Sequence, residues 1–212
     1  MFRSIFRPYG LVWTVLNTVT DVVGLTLCWL LCCLPIVTVF PATAALYDAV
    51  VHGIRYREEG PYKRFFRTFR AEWKSGILST LLWGAVLGFF GYLLAVLLTM
   101  ARQDSGFSLY AGVYLAGMLL PIGAACWSAA IISRFTFSFR ALTGTAVRFV
   151  IAHFFRSLGI AACTVALAVF TWNYPIWIFA APACLMLLWS VFAEPVFAKY
   201  GAAITPVTPD ED

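Results

Sequence analysis

The chain has 212 residues, of which 62% are hydrophobic, 17% aromatic and only 12% charged, with a mean hydropathy of +0.85. A soluble domain carries about 25% charged residues, so the charges here are too few to coat a globule in water, and residues 1–200 read as a single integral membrane domain. The net charge of +5 does not imply nucleic acid as a partner, because Lys and Arg cluster between apolar segments, where they act as orientation signals and headgroup contacts.

In chain order, the basic aromatic stretch FRSIFRPYG leads into a first apolar segment, 11–33, with Pro35 just beyond it. The next segment, 36–54, contains Pro41, Asp48 and His52, and hydropathy alone would pass over it. Charge argues that it crosses. If it does, both termini are cytoplasmic and 14 of the 15 Lys and Arg lie inside, with Arg102 outside. If it does not, Arg3 and Arg7 move outside and the inner tally falls to 12. The sequence LCCLPIV then forms the apolar turn of a helical hairpin, and non-helical backbone at that depth has to be covered by protein. Ala42-Thr43-Ala44 resembles a signal-peptide cleavage site, but the run before it exceeds an h-region of about 7 to 15 residues.

The stretch GPYKRFFRTFRAEWKSG predicts an interfacial helix over 61–74, started by Gly60 and Pro61. Tyr62, Phe65, Phe66, Phe69 and Trp73 recur at helical spacing, while Lys63, Arg64, Arg67, Arg70 and Lys74 fill the other faces. Aromatic rings at headgroup level with cations beside them suit anionic lipid, and the same face can dock a cytoplasmic protein.

Further segments follow at 77–100, 107–133, 158–172 and 175–193, and crossing a core of ~30 Å takes about 20 helical residues. Of these, 158–172 is short for a span. The residues 148–160 echo 66–78 at an offset of 82, pairing Trp73 with Phe155, Lys74 with Arg156 and Ser75 with Ser157. His153, within the second lead-in, is read as interfacial, and Glu194 as facing headgroups. Residues 201–212 form an acidic tail expected to be disordered. The expected fold is therefore all-α: a polytopic membrane helical bundle of five to six membrane segments in hairpins, with cytoplasmic amphipathic helices.

Folding the first hairpin about Leu34-Pro35 sets Asp21 opposite Asp48 and Asn17 opposite His52. Asn17 and Asp21 are four residues apart, as are Asp48 and His52, so each pair shares a helix face and the four can form one intramembrane polar cluster. Two carboxylates sharing a proton beside an imidazole would make a proton or cation relay. The same groups can instead staple helices by hydrogen bonds, or sit wet near the interface.

All six cysteines lie in apolar segments; the C-x-x-x-C-C run of Cys28, Cys32 and Cys33 lacks a second ligand pair, so free packing thiols are expected and no metal. Gly84, Gly88 and Gly91 permit a close helix approach. There is no nucleotide loop, zinc-protease or nucleophile-elbow motif, so neither an enzyme nor a cofactor is expected.

TDVVGLTLCWLLCCLPIVTVFPATAALYDAV followed by EEGPYKRFFRTFRAEWKSGIL resembles the YesL family of small bacterial membrane proteins, whose function is not known. The likeness is carried by Asp21, Leu34 to Thr38, Thr43 to Tyr47 and the helix from Phe65 to Lys74. It implies a multi-pass protein of the bacterial cytoplasmic membrane. Genes of that family often stand beside carbohydrate importers, which implies an accessory or scaffold role in sugar uptake, with an importer component as partner. A small proton-linked transporter or channel using Asp21 and Asp48 is the alternative.

Overall fold

The computed structural model describes residues 11–103, 106–135 and 139–200. The lead-in with Arg3 and Arg7 and the tail 201–212 lie outside the described residues. Among the described residues nine α-helices follow one another: α1 (Leu11–Cys32), α2 (Val39–Val50), α3 (Pro61–Ala71), α4 (Trp73–Gln103), α5 (Phe107–Gly117), α6 (Leu119–Ile132), α7 (Phe139–Ala152), α8 (Phe154–Asn173) and α9 (Ala181–Lys199). No strand occurs among the described residues, and the chain is an all-α polytopic helical bundle. Among the described residues five helical stretches are long and apolar enough to cross a membrane: Ile36–Arg55, Trp73–Arg102, Phe107–Ile132, Phe154–Asn173 and Ala181–Lys199. Leu16–Cys32 is a shorter apolar helix.

The least hydropathic of these stretches is the most enclosed. Within the 18-residue apolar window of Ile36–Arg55, 67% is buried inside the bundle, against 6% for that of Trp73–Arg102. Small residues allow this: Ala42, Ala44, Ala45 and Ala49 are fully buried and bring neighbouring backbones close. Pro41 costs no helical hydrogen bond, because it lies in the first turn of α2, where N–H groups have no intrahelical acceptor. The orphan N–H of Phe40 in that turn donates to Thr80 Oγ1 of α4 at 3.2 Å. Gly76 of α4 makes the approach feasible, since a Cβ there would lie 2.6 Å from Pro41 Cβ.

The hairpin turn before α2 differs from expectation. Leu34 and Ile36 point outward, so protein does not cover the turn. Its backbone is satisfied locally instead, because the Thr38 hydroxyl reaches the carbonyls of Cys32 at 2.5 Å and Pro35 at 2.6 Å. That leaves fewer open acceptors at the end of α1.

Several expected bounds also shift. The interfacial helix ends at Ala71; Glu72 breaks it at φ −98°, and Trp73 and Lys74 already belong to α4. The expected segment 107–133 is two helices, joined at Met118 with backbone bonding carried through (Met118 N–H to Tyr114 O, 2.9 Å). The segment thought short, 158–172, extends to the 20 residues of α8. At 175–193 a 3₁₀ turn over Pro175–Phe179 precedes α9.

The two lead-ins end in similar junctions, one residue out of register with the offset of 82. α3 and α4 meet at Glu72, and α7 and α8 meet at His153, each a one-residue break across which the ladder continues: Gly76 N–H to Glu72 O at 2.8 Å, Ser157 N–H to His153 O at 2.9 Å. Gly84 and Gly88, by contrast, meet nothing within 4 Å of an added Cβ, so they bring no helix of this chain close.

In the core, Trp127 is fully buried between Phe149 and Phe197, edge-on to both at 5.3 and 5.9 Å. Its indole N–H donates to Ser157 Oγ at 2.8 Å, and that of Trp83 to Ser128 Oγ at 3.0 Å. Such interhelical bonds satisfy groups that lipid cannot.

Candidate functional site

Where α2 ends, the helix widens. Val51–Arg55 forms a π turn, closed by Tyr56 N–H to Val51 O at 3.0 Å, and π turns are frequent at functional sites. The chain then reverses through Arg57, in the left-handed region at φ 57°, and Gly60, at φ 74°, so that α3 returns along α2. Gly53 meets Pro61 at the crossing, where a Cβ would lie 2.6 Å away.

This reversal assembles a buried ion network. Asp48 Oδ2 accepts from Arg64 Nε at 3.0 Å and Thr68 Oγ1 at 2.7 Å, both on α3. Arg64 Nη1 donates to Glu58 Oε2 at 2.8 Å. Glu58 Oε1 lies 2.7 Å from His52 Nδ1. His52 Nε2 faces two guanidiniums, Arg64 Nη2 at 2.8 Å and Arg134 Nη1 at 2.7 Å. A guanidinium can only donate, so Nε2 accepts from both, and the imidazole is the neutral tautomer with its hydrogen on Nδ1, donated to Glu58.

Arg134, just past α6, carries the network to α9. Its Nη2 donates to Glu194 Oε1 at 2.7 Å, and the same oxygen accepts from the Tyr47 hydroxyl at 2.9 Å. Arg55, exposed on the π turn, reaches α9 outside this network, donating to Ser190 Oγ at 2.7 Å, one helical turn before Glu194. Asp48, His52 and Glu194 are all under 7% exposed. Three carboxylates, the guanidiniums of Arg64 and Arg134 and a neutral imidazole thus form one connected network, and a buried charge persists only when so paired. The network ties the end of α2, the reversing loop, α3, the end of α6 and α9 into one unit.

Over residues 22–98 the chain matches the family model described as "Protein of unknown function, DUF624". None of the curated proteins and none of the solved structures matches it. The matched stretch runs from within α1 into α4, and so holds Asp48, His52, Glu58, Arg64 and Thr68 but not Arg134 or Glu194.

Of the expected polar cluster, one half forms. Asp48 and His52 share a face, with Oδ1 3.4 Å from Nε2. No hydrogen bond or ion pair joins them to Asn17 or Asp21 among the described residues; Asn17 is exposed, and Asp21 takes the Tyr62 hydroxyl of α3. Burial, and next the Asp21 carboxylate, push the Tyr62 phenol above its ordinary range. The reason for the difference is α3, which offers each carboxylate a partner that a two-helix picture lacks. Glu194, expected at the headgroups, is buried.

On α3 the expected residues divide. Phe65 is fully buried, Phe69 packs on the core, and Arg64 turns inward. Lys63, Phe66, Arg67 and Arg70 face outward, and Trp73 and Lys74 continue that exposed surface onto α4. Sequence reasoning missed Glu58, Thr68, Arg134, Glu194 and Tyr47. The available signal was Glu194 within an apolar segment, an acid that must find a cation. Among the described residues no group of three or more His, Cys, Asp or Glu is placed to hold a metal, and all six cysteines are free thiols.

Proposed function

We propose that the chain is a non-catalytic accessory or scaffold protein of the bacterial cytoplasmic membrane, with both termini in the cytoplasm. Its working surface is the basic face of α3 and the start of α4. One observation carries this: Arg64 and Thr68 lock α3 to buried Asp48, while Lys63, Arg67, Arg70 and Lys74 remain exposed. A helix held by an ion network is a rigid platform, and its outward cations meet anionic headgroups and an acidic patch on a partner. The resemblance of residues 20–78 to the YesL family supports a carbohydrate importer component as that partner. The orientation follows from the positive-inside rule, with α3 on the inner side and Arg102 on the outer.

Affinity capture from native membranes tests the role. The wild-type chain should retain an importer component, and a variant with Lys63, Arg67, Arg70 and Lys74 all changed to Gln should lose it at unchanged expression. Recovery of lipid alone with the wild type would refute the scaffold role. Labelling Gly60→Cys and Arg102→Cys variants in a cysteine-free background tests orientation, since only Arg102→Cys should react from outside intact cells.

A further inference from the structure

At the opposite end of α2 from the ion network lies a hollow of about 1070 Å³, at the upper limit of ligand pockets, which run about 300–1,000 Å³. Exposure distinguishes its mouth from its floor. Ile36 and Trp172, 81% and 87% exposed, rim it; Trp189 and Cys126, 4% and 6% exposed, close it. From Trp172 at the rim to Thr164 at the floor, α8 descends about 12 Å at about 1.5 Å per residue.

The wall is apolar, and its few polar groups are spent on one another. Thr43, Thr80, Thr164 and Thr171 each donate to the carbonyl four residues earlier, at 2.7 to 3.0 Å. The indoles of Trp29, Trp83 and Trp189 donate to Thr43, Ser128 and Thr164 at 3.2, 3.0 and 3.0 Å. Water entering would find few partners, and an empty hollow forfeits contacts along its whole wall. An occupant must therefore be long, flexible and free of hydrogen-bonding groups. In a chain built to cross a bilayer, the mouth opens among molecules of that kind.

We propose that this hollow is a binding site for one acyl chain of a bilayer phospholipid, which enters between the turn before α2 and the end of α8. The headgroup stays at the rim beside Trp172, an indole suited to that depth.

Two glycines of α4 supply the test. Gly84 lines the hollow and Gly88 does not, and at both an added Cβ meets nothing within 4 Å, so a side chain at either starts in open space. Wild type, Gly84→Phe and Gly88→Phe are extracted from nanodiscs of phosphatidylethanolamine and phosphatidylglycerol and weighed by native mass spectrometry, with far-ultraviolet dichroism to check the fold. Wild type and Gly88→Phe should carry one phospholipid at high occupancy, and Gly84→Phe should lose it at least tenfold. Ala168→Phe, a second wall position, should behave like Gly84→Phe. Equal retention by all variants, equal loss by all, no retained lipid on the wild type, or retention of a prenyl lipid from native membranes instead would each overturn the proposal.

Discussion

Replacing Arg64 by Met isolates the contribution of the ion network while keeping most of the side-chain volume. The change removes the donor to Asp48 Oδ2, the donor to Glu58 Oε2 and one of the two donors to His52 Nε2. The Asp48 side chain is 4% exposed and keeps Thr68 as its hydrogen-bond donor, with His52 Nε2 3.4 Å away, whereas Arg64 is 25% exposed. Breaking a buried ion pair by removing one partner costs about 3–5 kcal/mol; partial hydration of Arg64, and water following into its place, put this case near ~3. For a chain of about 150–250 residues each kcal/mol shifts Tm by about 2–4 °C, so the midpoint should fall by about 6–12 °C. Tryptophan fluorescence during thermal unfolding in mild detergent reads this. Arg67→Met, on the exposed side of the same helix, is the control and should stay within ~0.5 kcal/mol of wild type. Combining Arg64→Met with Asp48→Asn should cost less than the two singly, because the second change removes the stranded charge left by the first. If Arg64→Met and Arg67→Met melt together, the network does not hold α3 and the platform loses its basis.

Glu194→Gln should lower stability by about 3 kcal/mol or more, since it strands the buried Arg134 guanidinium; the same melting assay checks it. Gly76→Ala should cost about 1–3 kcal/mol because its methyl would press on Pro41, whereas Gly84→Ala, with open space around it, should gain up to about 1 from helix propensity, a contrast read by the melting midpoints of the two variants. Arg57→Gly should raise the midpoint slightly, relieving a left-handed conformation that costs an ordinary residue about 1–2 kcal/mol. His153 is held below its ordinary range by burial and then by Arg156 and Lys199, so the unfolded chain takes up its proton first. Stability from this group should be full above an unfolded pKa of about 6.5 and decline as pH falls below it, and His153→Asn should flatten that slope in melting curves taken between pH 5 and 8.

How much could be read without coordinates depended on where the partners lay. α4 is apolar on every side and few residues of its apolar stretch are buried, so hydropathy alone finds it. α2 is the reverse: Pro41, Asp48 and His52 lower its hydropathy, and charge asymmetry was the argument from the sequence for its crossing. Its polar side chains were legible as a pair because Asp48 and His52 lie on one helix at a spacing of four. Their partners were not, because Arg64 and Thr68 arrive by a chain reversal through the left-handed Arg57 and Gly60, and Arg134 lies 82 residues from His52. The periodicity of α3 marked an amphipathic helix but not which cation turned inward. That depends on a buried carboxylate on another element, not on spacing within α3.

The two ends of α2 show why a helix this polar sits at the centre of a chain this apolar. At its start, small and imino residues let α4 approach, Thr80 caps the open Phe40 N–H, and the neighbouring hollow has almost no hydrogen-bonding capacity left. At its end, every charge is answered by protein: Arg64 from α3, Arg134 from beyond α6, and Tyr47 turned to Glu194 of α9. The hydrocarbon of the bilayer could supply none of these partners, so the helix with the greatest need of them is the one most surrounded by the others. Exchanging α2 for a more hydropathic helix would therefore not improve the bundle. It would leave Arg64, Arg134 and Glu58 short of partners, and the outer helices without the polar contacts that set their angles and register around α2.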